Sequence, residues 1–189
     1  MEPLAWYAIA IFAIAIVAII TNVVDGTAAA LIGVLSEVVG QRAVNVVNAM
    51  HLATGRGIAV ERTRLTPRED YAEYLEVRLT GEEESIRVGG AVLEGAHPRV
   101  VRIGEYHVDI LPRGDLVLLR NRDVPGVIGR VGTALAAAGI NIGQYNVARL
   151  EAGGQALAAI GVDARLSPEH METLRALPEV TAVRQVELD

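Results

Sequence analysis

The sequence predicts an α+β protein in two parts: helices on an antiparallel or mixed sheet, followed by a ferredoxin-like βαββαβ unit. Three observations carry this. Apolar residues make up 51% of the 189 and charged residues 21%, enough to bury a core and too apolar for disorder. Between Asp70 and Leu111 apolar and polar residues alternate and glycine turns interrupt them, the period-2 pattern of antiparallel strands. Past the Pro-Gly stretch Leu111–Asp115 the order becomes strand, helix, strand, strand, helix, strand. The expected division is residues 1–112 and 113–189, each of ordinary domain size.

The chain opens on seventeen unbroken apolar residues, Leu4 to Ile20. That run is at the short end for a bilayer span, with Trp6 and Tyr7 as possible interfacial anchors. Its β-branched residues alternate with alanines, which also suits a strand. Glu2 and the lack of a basic leader argue against a signal peptide, and the run has no basic flank before Arg42. The favoured expectation is a sheet-forming segment of a cytoplasmic protein, with a membrane anchor as the alternative. A helix follows from Thr27 to Gly40, then a second through about Thr54, a Gly55–Gly57 break and a strand from Ile58. The segments "DYAEYLEVRLTG", "EEESIRVGGAVLEG" and "PRVVRIGEYHVDIL" read as strands joined at Gly81–Glu84 and Gly104–Glu105.

In the second part "LVLLRNR" is the first strand. "GVIGRVGTALAAAG" is a helix with Val127, Ile128, Val131 and Leu135 on its core face. "INIGQYNVARL" and "GQALAAIGVDA" pair around the turn "EAGG". "SPEHMETLRALPE" is a helix with Ser167 as N-cap, Pro168 at its first position, and Leu174 and Leu177 facing the core. "VTAVRQVEL" closes the sheet. Gly126, Gly129 and Gly132 are spaced G-x-x-G-x-x-G, which is not a dinucleotide fingerprint, and Gly129 and Gly132 are expected to let the helix pack closely on another backbone.

Composition narrows function further. Net charge is −6, which speaks against nucleic acid as a partner. All 17 basic residues are arginine, so no lysine is available for Schiff-base or P-loop chemistry. The absence of cysteine removes thiol catalysis and zinc-thiolate sites. The four histidines have no metal-ligand spacing. No catalytic residue, metal site or cofactor site is expected in this chain.

The informative stretch is "RNRDVPGVIGRVGTALAAAGINIGQYN", Arg120 to Asn146. Asp123, two residues before Pro125, can cap the helix, with Pro125 at an early helical position. The same residues also suit a ligand. A helix N-terminus offers free N–H groups to a carboxylate, and Gly126 permits close approach to the backbone. Asp123 suits an ammonium group, and Asn141 supplies a donor and an acceptor. These features complement an α-amino acid, although Asn141 can equally be a strand-edge residue.

"NRDVPGVIGRVGTALAAAGINI" resembles the ACT-domain signature, and the likeness continues through "GGQALAAIGVD" and "LRALPEVTAVRQVEL". Upstream, "AVNVVNAMHLATGRGIAVERTR", "DYAEYLEVRLTG" and the segment from Val88 resemble the intervening domain of D-3-phosphoglycerate dehydrogenase. The resemblance covers roughly residues 25 to 189. It implies the C-terminal regulatory half of that serine-biosynthesis enzyme, with L-serine as feedback inhibitor bound between two ACT domains that join their sheets. Carried over by motif position, the serine contacts fall on Asn121, Asp123 and Asn141 and on backbone amides around Val127 and Ile128. Some family members have an anion-binding effector site in the intervening domain, for which His107 and Arg113 are the nearest candidates. The family's NAD-binding and catalytic domains are absent, so the chain is not expected to oxidise 3-phosphoglycerate alone; a catalytic dehydrogenase chain is a possible partner. The apolar run at residues 4–20 also departs from the family's more polar strand. Two other readings are a subunit of an iron–sulfur L-serine dehydratase and a membrane-tethered amino-acid sensor. The first predicts a Ser-rich, His-containing N-terminal loop that the sequence lacks.

Overall fold

A computed structural model describes residues 51, 54–55, 73–80, 85–93 and 97–188. The apolar run at 4–20, the helix expected at 27–40 and the strand expected from Ile58 lie outside the described residues. His51 and Thr54 are helical, as the second expected helix requires, and the helix continues into Gly55, where a break was expected. Among the described residues, no helix is long and apolar enough to cross a membrane. The chain divides into two compact units, Met1–Gly104 and Glu105–Asp189.

In the first unit β1 (Glu73–Thr80), β2 (Ser85–Leu93) and β3 (His97–Ile103) pair antiparallel in sequence order. Val88, Ala91, Val100 and Ile103 are buried. A bulge between Gly89 and Gly90 shifts the β2–β3 register. There the Tyr74 hydroxyl lies so close to Gly89 that a Cβ would sit 2.5 Å from it. That hydroxyl donates to Glu76 Oε2 at 2.9 Å.

The second unit begins with β4 (Tyr106–Ile110) and continues as β5 (Gly114–Arg122), α1 (Val127–Ala137), β6 (Ile142–Arg149), β7 (Gln155–Val162), α2 (Pro168–Arg175) and β8 (Val180–Leu188). Its sheet runs β6–β7–β5–β8 with every neighbouring pair antiparallel, the ferredoxin-like order. Val117 and Leu119 of β5, Ile160 of β7 and Val183 of β8 pack with Val131 and Leu135 of α1 and Leu174 of α2 in one core. Leu116, Leu118, Leu157 and Ala159 are buried as well, so the two central strands bury side chains on both faces. This is why "LVLL" and "ALAAI" are continuous apolar runs rather than alternating ones. The side-chain amide of Gln144 in β6 donates to Asp109 O at 2.9 Å and accepts from Leu111 N at 3.3 Å, holding the chain that leaves β4.

Both helix ends follow from local chemistry. At α2 Ser167 Oγ accepts from His170 N at 3.2 Å and His170 Nδ1 accepts from Ser167 N at 3.4 Å, a capping box with Pro168 at the first position. α1 ends in a Schellman motif. Gly139 takes φ +71°, its N–H reaches Ala136 O, and Ile140 N–H reaches Leu135 O, both at 3.0 Å.

The start of α1 differs from expectation. Its N-cap is Gly126, left-handed at φ 92°, without a side-chain cap, and Pro125 precedes the helix instead of opening it. Asp123 does not cap, because its carboxylate is turned towards the β6–β7 hairpin. Ile128 is not on the core face: one residue on from buried Val127, a 100° step carries it to 59% exposure. Nor do Gly129 and Gly132 pack on a backbone. A Cβ at either meets no atom within 4 Å, since Val127, Val131 and Leu135 form the buried stripe.

Two glycines of one helix should therefore respond oppositely to alanine. At Gly126 a Cβ would sit in a left-handed residue and 2.7 Å from Arg130 Nη1, so Gly126→Ala should lower stability by about 1–2 kcal/mol. At Gly132 the space is open, and Gly132→Ala should raise stability by up to about 1 kcal/mol through helix propensity. Urea unfolding midpoints at unchanged m-value measure both.

Candidate functional site

The polar turn between β5 and α1 is built from its strand upward. Alternation puts Asn121 on the same face of β5 as Val117 and Leu119, at the strand's end beside the helix start. It is 5% exposed, and its Nδ2 donates to Arg122 O at 2.7 Å. The backbone then leaves the strand while staying tied to its neighbours. Arg122 N donates to Glu179 O at 2.9 Å, and Asp123 N donates to Gly154 O at 2.8 Å.

Asp123 is a staple between two loops. Its Oδ2 accepts from Arg149 Nη1 at 2.9 Å and from Gly153 N at 3.2 Å, so the end of β6 and the hairpin tip are both held by one oxygen. The Arg149 guanidinium, and next the Gly153 amide, hold the carboxyl below its ordinary value of 3.8. Across the turn, Arg130 grips Glu179 through two nitrogens, at 2.8 and 3.2 Å. Its guanidinium lies over the bare Cα of Gly126. The space that a ligand was expected to use at Gly126 is thus occupied by Arg130. The first turn of α1 carries no side-chain cap and no acidic residue, leaving amides around Val127 and Ile128 for an acceptor from outside.

Asn141 is elsewhere. It stands at the other end of α1, just before β6, where Nδ2 donates to Asp163 Oδ2 at 2.7 Å and its carbonyl accepts from Asp163 N at 3.2 Å. Eight residues of β6 separate it from the Arg149–Asp123 pair, about 25 Å of extended strand. Within one chain the structure brings together Asn121, Asp123, Val127 and Ile128 but not Asn141. Of the two anion-site candidates, His107 is an exposed residue of β4 and Arg113 an exposed residue before β5. Neither side chain makes a hydrogen bond or ion pair among the described residues, and the exposed carboxylate of Asp109 lies on the same side of β4 as His107. Among the described residues no three acidic or histidine side chains cluster as a metal site.

Sequence reasoning missed Arg149, Asp163 and the Arg130–Glu179 pair. Arg149 was accessible in principle, since a hairpin around "EAGG" must carry its flanking residues to one end of the sheet. Asp123 is more acidic folded than unfolded, so its ionisation stabilises the fold above its ordinary value and that contribution fades as pH falls through the lower folded value. The wild-type chain should therefore be more stable than Asp123→Asn near neutral pH. The gap should narrow as pH falls below the ordinary carboxylate value of 3.8 and through the lower folded value, measured by urea unfolding across that range. A gap that stays constant would mean that the lost contact is not electrostatic.

Residues 15–104 match the family model of the D-3-phosphoglycerate dehydrogenase intervening domain, and residues 116–179 match that of the ACT domain. Among curated relatives, a D-3-phosphoglycerate dehydrogenase of Bacillus subtilis is 32% identical over 145 residues, which is 77% of this chain and 28% of the relative. One from Archaeoglobus fulgidus is 32% identical over 161 residues, 84% of this chain and 30% of the relative. A chloroplastic D-3-phosphoglycerate dehydrogenase of Arabidopsis thaliana is 31% identical over 150 residues, 72% of this chain and 25% of the relative. The chain thus spans less than a third of the length of these relatives. With both domain models matched in order, the chain belongs to the D-3-phosphoglycerate dehydrogenase family through an intervening domain followed by an ACT domain.

Proposed function

We propose that this chain is an L-serine-sensing regulatory module of a cytoplasmic D-3-phosphoglycerate dehydrogenase, working as a dimer through its ACT domain. The observation that carries the reading is the turn at Asp123: a carboxylate lies four residues before a helix whose first turn has no side-chain cap. An α-amino acid matches both, its carboxylate accepting from the amides around Val127 and Ile128 and its ammonium donating to Asp123. Asn121, almost fully buried under the helix start, adds an amide oxygen. NAD binding and hydride transfer belong to other domains of such an enzyme, in the same polypeptide or in a partner chain, and neither is assigned to these residues.

The position of Asn141 is what calls for a second copy. β6 is an edge strand of its sheet, and Val147 near its end and Leu150 just after it are exposed. Two copies pairing antiparallel along β6 about a two-fold axis set the start of one strand beside the end of the other. Asn141 of one copy then faces the Asp123 turn of its partner, and each of two equivalent sites takes residues from both chains. A ligand that spans this junction stabilises the dimer as well as the domain.

Thermal-shift titration of the chain with L-serine tests the reading, with glycine, D-serine and 3-phosphoglycerate as comparisons. Ligand at about 100 times its dissociation constant adds roughly 2.7 kcal/mol, a shift of about 5–10 °C for a chain this size. Asp123→Ala should weaken serine binding on the order of tenfold or more, the range for hydrogen bonds to charged groups. Asn141→Ala should weaken binding with little change in the ligand-free melting temperature. Normal serine binding by both variants would refute the site, and silence of the wild-type chain would refute the serine reading.

A further inference from the structure

Asp163 belongs to no site described so far, yet it fixes the one residue that the second copy has to supply. It lies immediately after β7, exposed, facing Asn141 across the first rung of the β6–β7 pair, Ile142↔Val162. Two contacts join the residues: Asp163 N donates to Asn141 O at 3.2 Å, and Asn141 Nδ2 donates to Asp163 Oδ2 at 2.7 Å. A register shift at Gly143 follows directly, and a Cβ on Gly143 would lie 3.6 Å from Asp163 Oδ1.

The chemistry of that pair decides which way the Asn141 amide points. An ionised carboxylate only accepts hydrogen bonds, so the end of the amide turned to Asp163 must be the NH2 group. The oxygen Oδ1 is thereby turned away, and it accepts no hydrogen bond among the described residues. A side-chain amide free to flip presents donor and acceptor alternately; here one face is fixed as an acceptor. An ammonium group has three donors and no acceptor, so it is served only by the orientation that Asp163 imposes. The negative charge of Asp163 adds to the attraction.

We propose that Asp163 is a positioning residue for amino-acid recognition: it locks the amide of Asn141 with its oxygen outward, towards the ammonium group of a ligand held at the partner copy's Asp123 turn. This rests on the two-chain site proposed above. It extends that site by a residue that does not touch the ligand, and it ascribes part of the preference for a zwitterion over a simple carboxylate to the β6–β7 end of the sheet.

The test is calorimetric titration of L-serine into the whole chain, as wild type, as Asp163→Asn, and as the exchanged pair Asn141→Asp with Asp163→Asn. Asp163→Asn keeps the size of the side chain but lets the paired amides settle in either orientation and removes the charge. The dissociation constant should rise roughly two- to fivefold, the upper part of the range for an exposed charge contact, with the melting temperature unchanged. The exchanged pair restores an outward acceptor, because the new amide at 163 donates to the new carboxylate at 141, and serine affinity should return to within about twofold of wild type. A merely structural role for Asp163 does not predict that recovery. Unchanged binding by Asp163→Asn overturns the positioning role and leaves the serine reading standing; so does a loss that the exchanged pair fails to recover. Absence of serine binding by the wild-type chain overturns the serine reading itself, and the role of Asp163 with it.

Discussion

A strand of eight residues separates the two polar ends of the second unit's sheet, and that spacing governs what the site can be. β6 runs from Ile142 to Arg149, so Asn141 at its start and the Arg149–Asp123 pair at its end are about 25 Å apart. No rotamer change closes such a gap, and the strand cannot be shortened, because it is hydrogen-bonded along β7 from Ile142↔Val162 to Arg149↔Ala156. On the amino-acid reading proposed above, one copy of the chain has half of the ligand's partners at each end. In the dimer we propose, the edge strand pairs with its own copy and joins the halves without deforming either, and symmetry makes two such junctions at once.

At the Asp123 end, geometry and electrostatics serve different purposes. The ion pair with Arg149 is solvent-exposed, with the arginine side chain 59% accessible, and pairs of that kind contribute little to stability. Its effect is on position and charge: the carboxylate is held ionised, in one place, by a guanidinium and the hairpin amide of Gly153. The turn is meanwhile anchored by bonds that owe nothing to charge, Arg122 N to Glu179 O and Asp123 N to Gly154 O. A left-handed Gly126 then starts the helix without a capping side chain. If this turn is the amino-acid site proposed above, its anionic group is fixed and its helix start uncapped before any ligand arrives, so binding orders few new groups.

The fold was legible because its signals are local and mutually consistent. Ser167 with Pro168 marks a helix start, Gly139 a helix end, and "EAGG" a hairpin, and each lies where the structure needs it. The continuous run in β5 and the stripe Val127, Val131, Leu135 likewise identify strand and helix. What failed were inferences about what lies beside a residue. Asp123 looked like a cap because Asp before a helix usually is one; its partner, Arg149, is 26 positions further on and reaches it only through the hairpin. Gly129 and Gly132 looked like close-packing positions, but spacing alone does not tell which side of a helix faces a neighbour. Asn141 and Asp123 flank the same helix in sequence, but that says nothing of their distance within one chain. A helix of eleven residues, about 16 Å long, puts its flanks at opposite ends of the sheet.

The exclusive use of arginine bears on the same region. Seventeen basic residues and no lysine would be a curiosity of composition were the side chains all solvated. At Arg130 the guanidinium spans two contacts that a point charge could not combine. Its Nε and Nη2 take both oxygens of Glu179, while Nη1 lies against Gly126 where a Cβ would come within 2.7 Å. A lysine ammonium could keep the charge but not the planar fork, and it would leave the left-handed glycine uncovered. Glu179 in turn holds Arg122 through its carbonyl, so one arginine fixes the end of β5, the approach to β8 and the first turn of α1 together. The turn keeps its shape through the fork, which is why Asp123 can spend its carboxylate on the hairpin instead of on the helix.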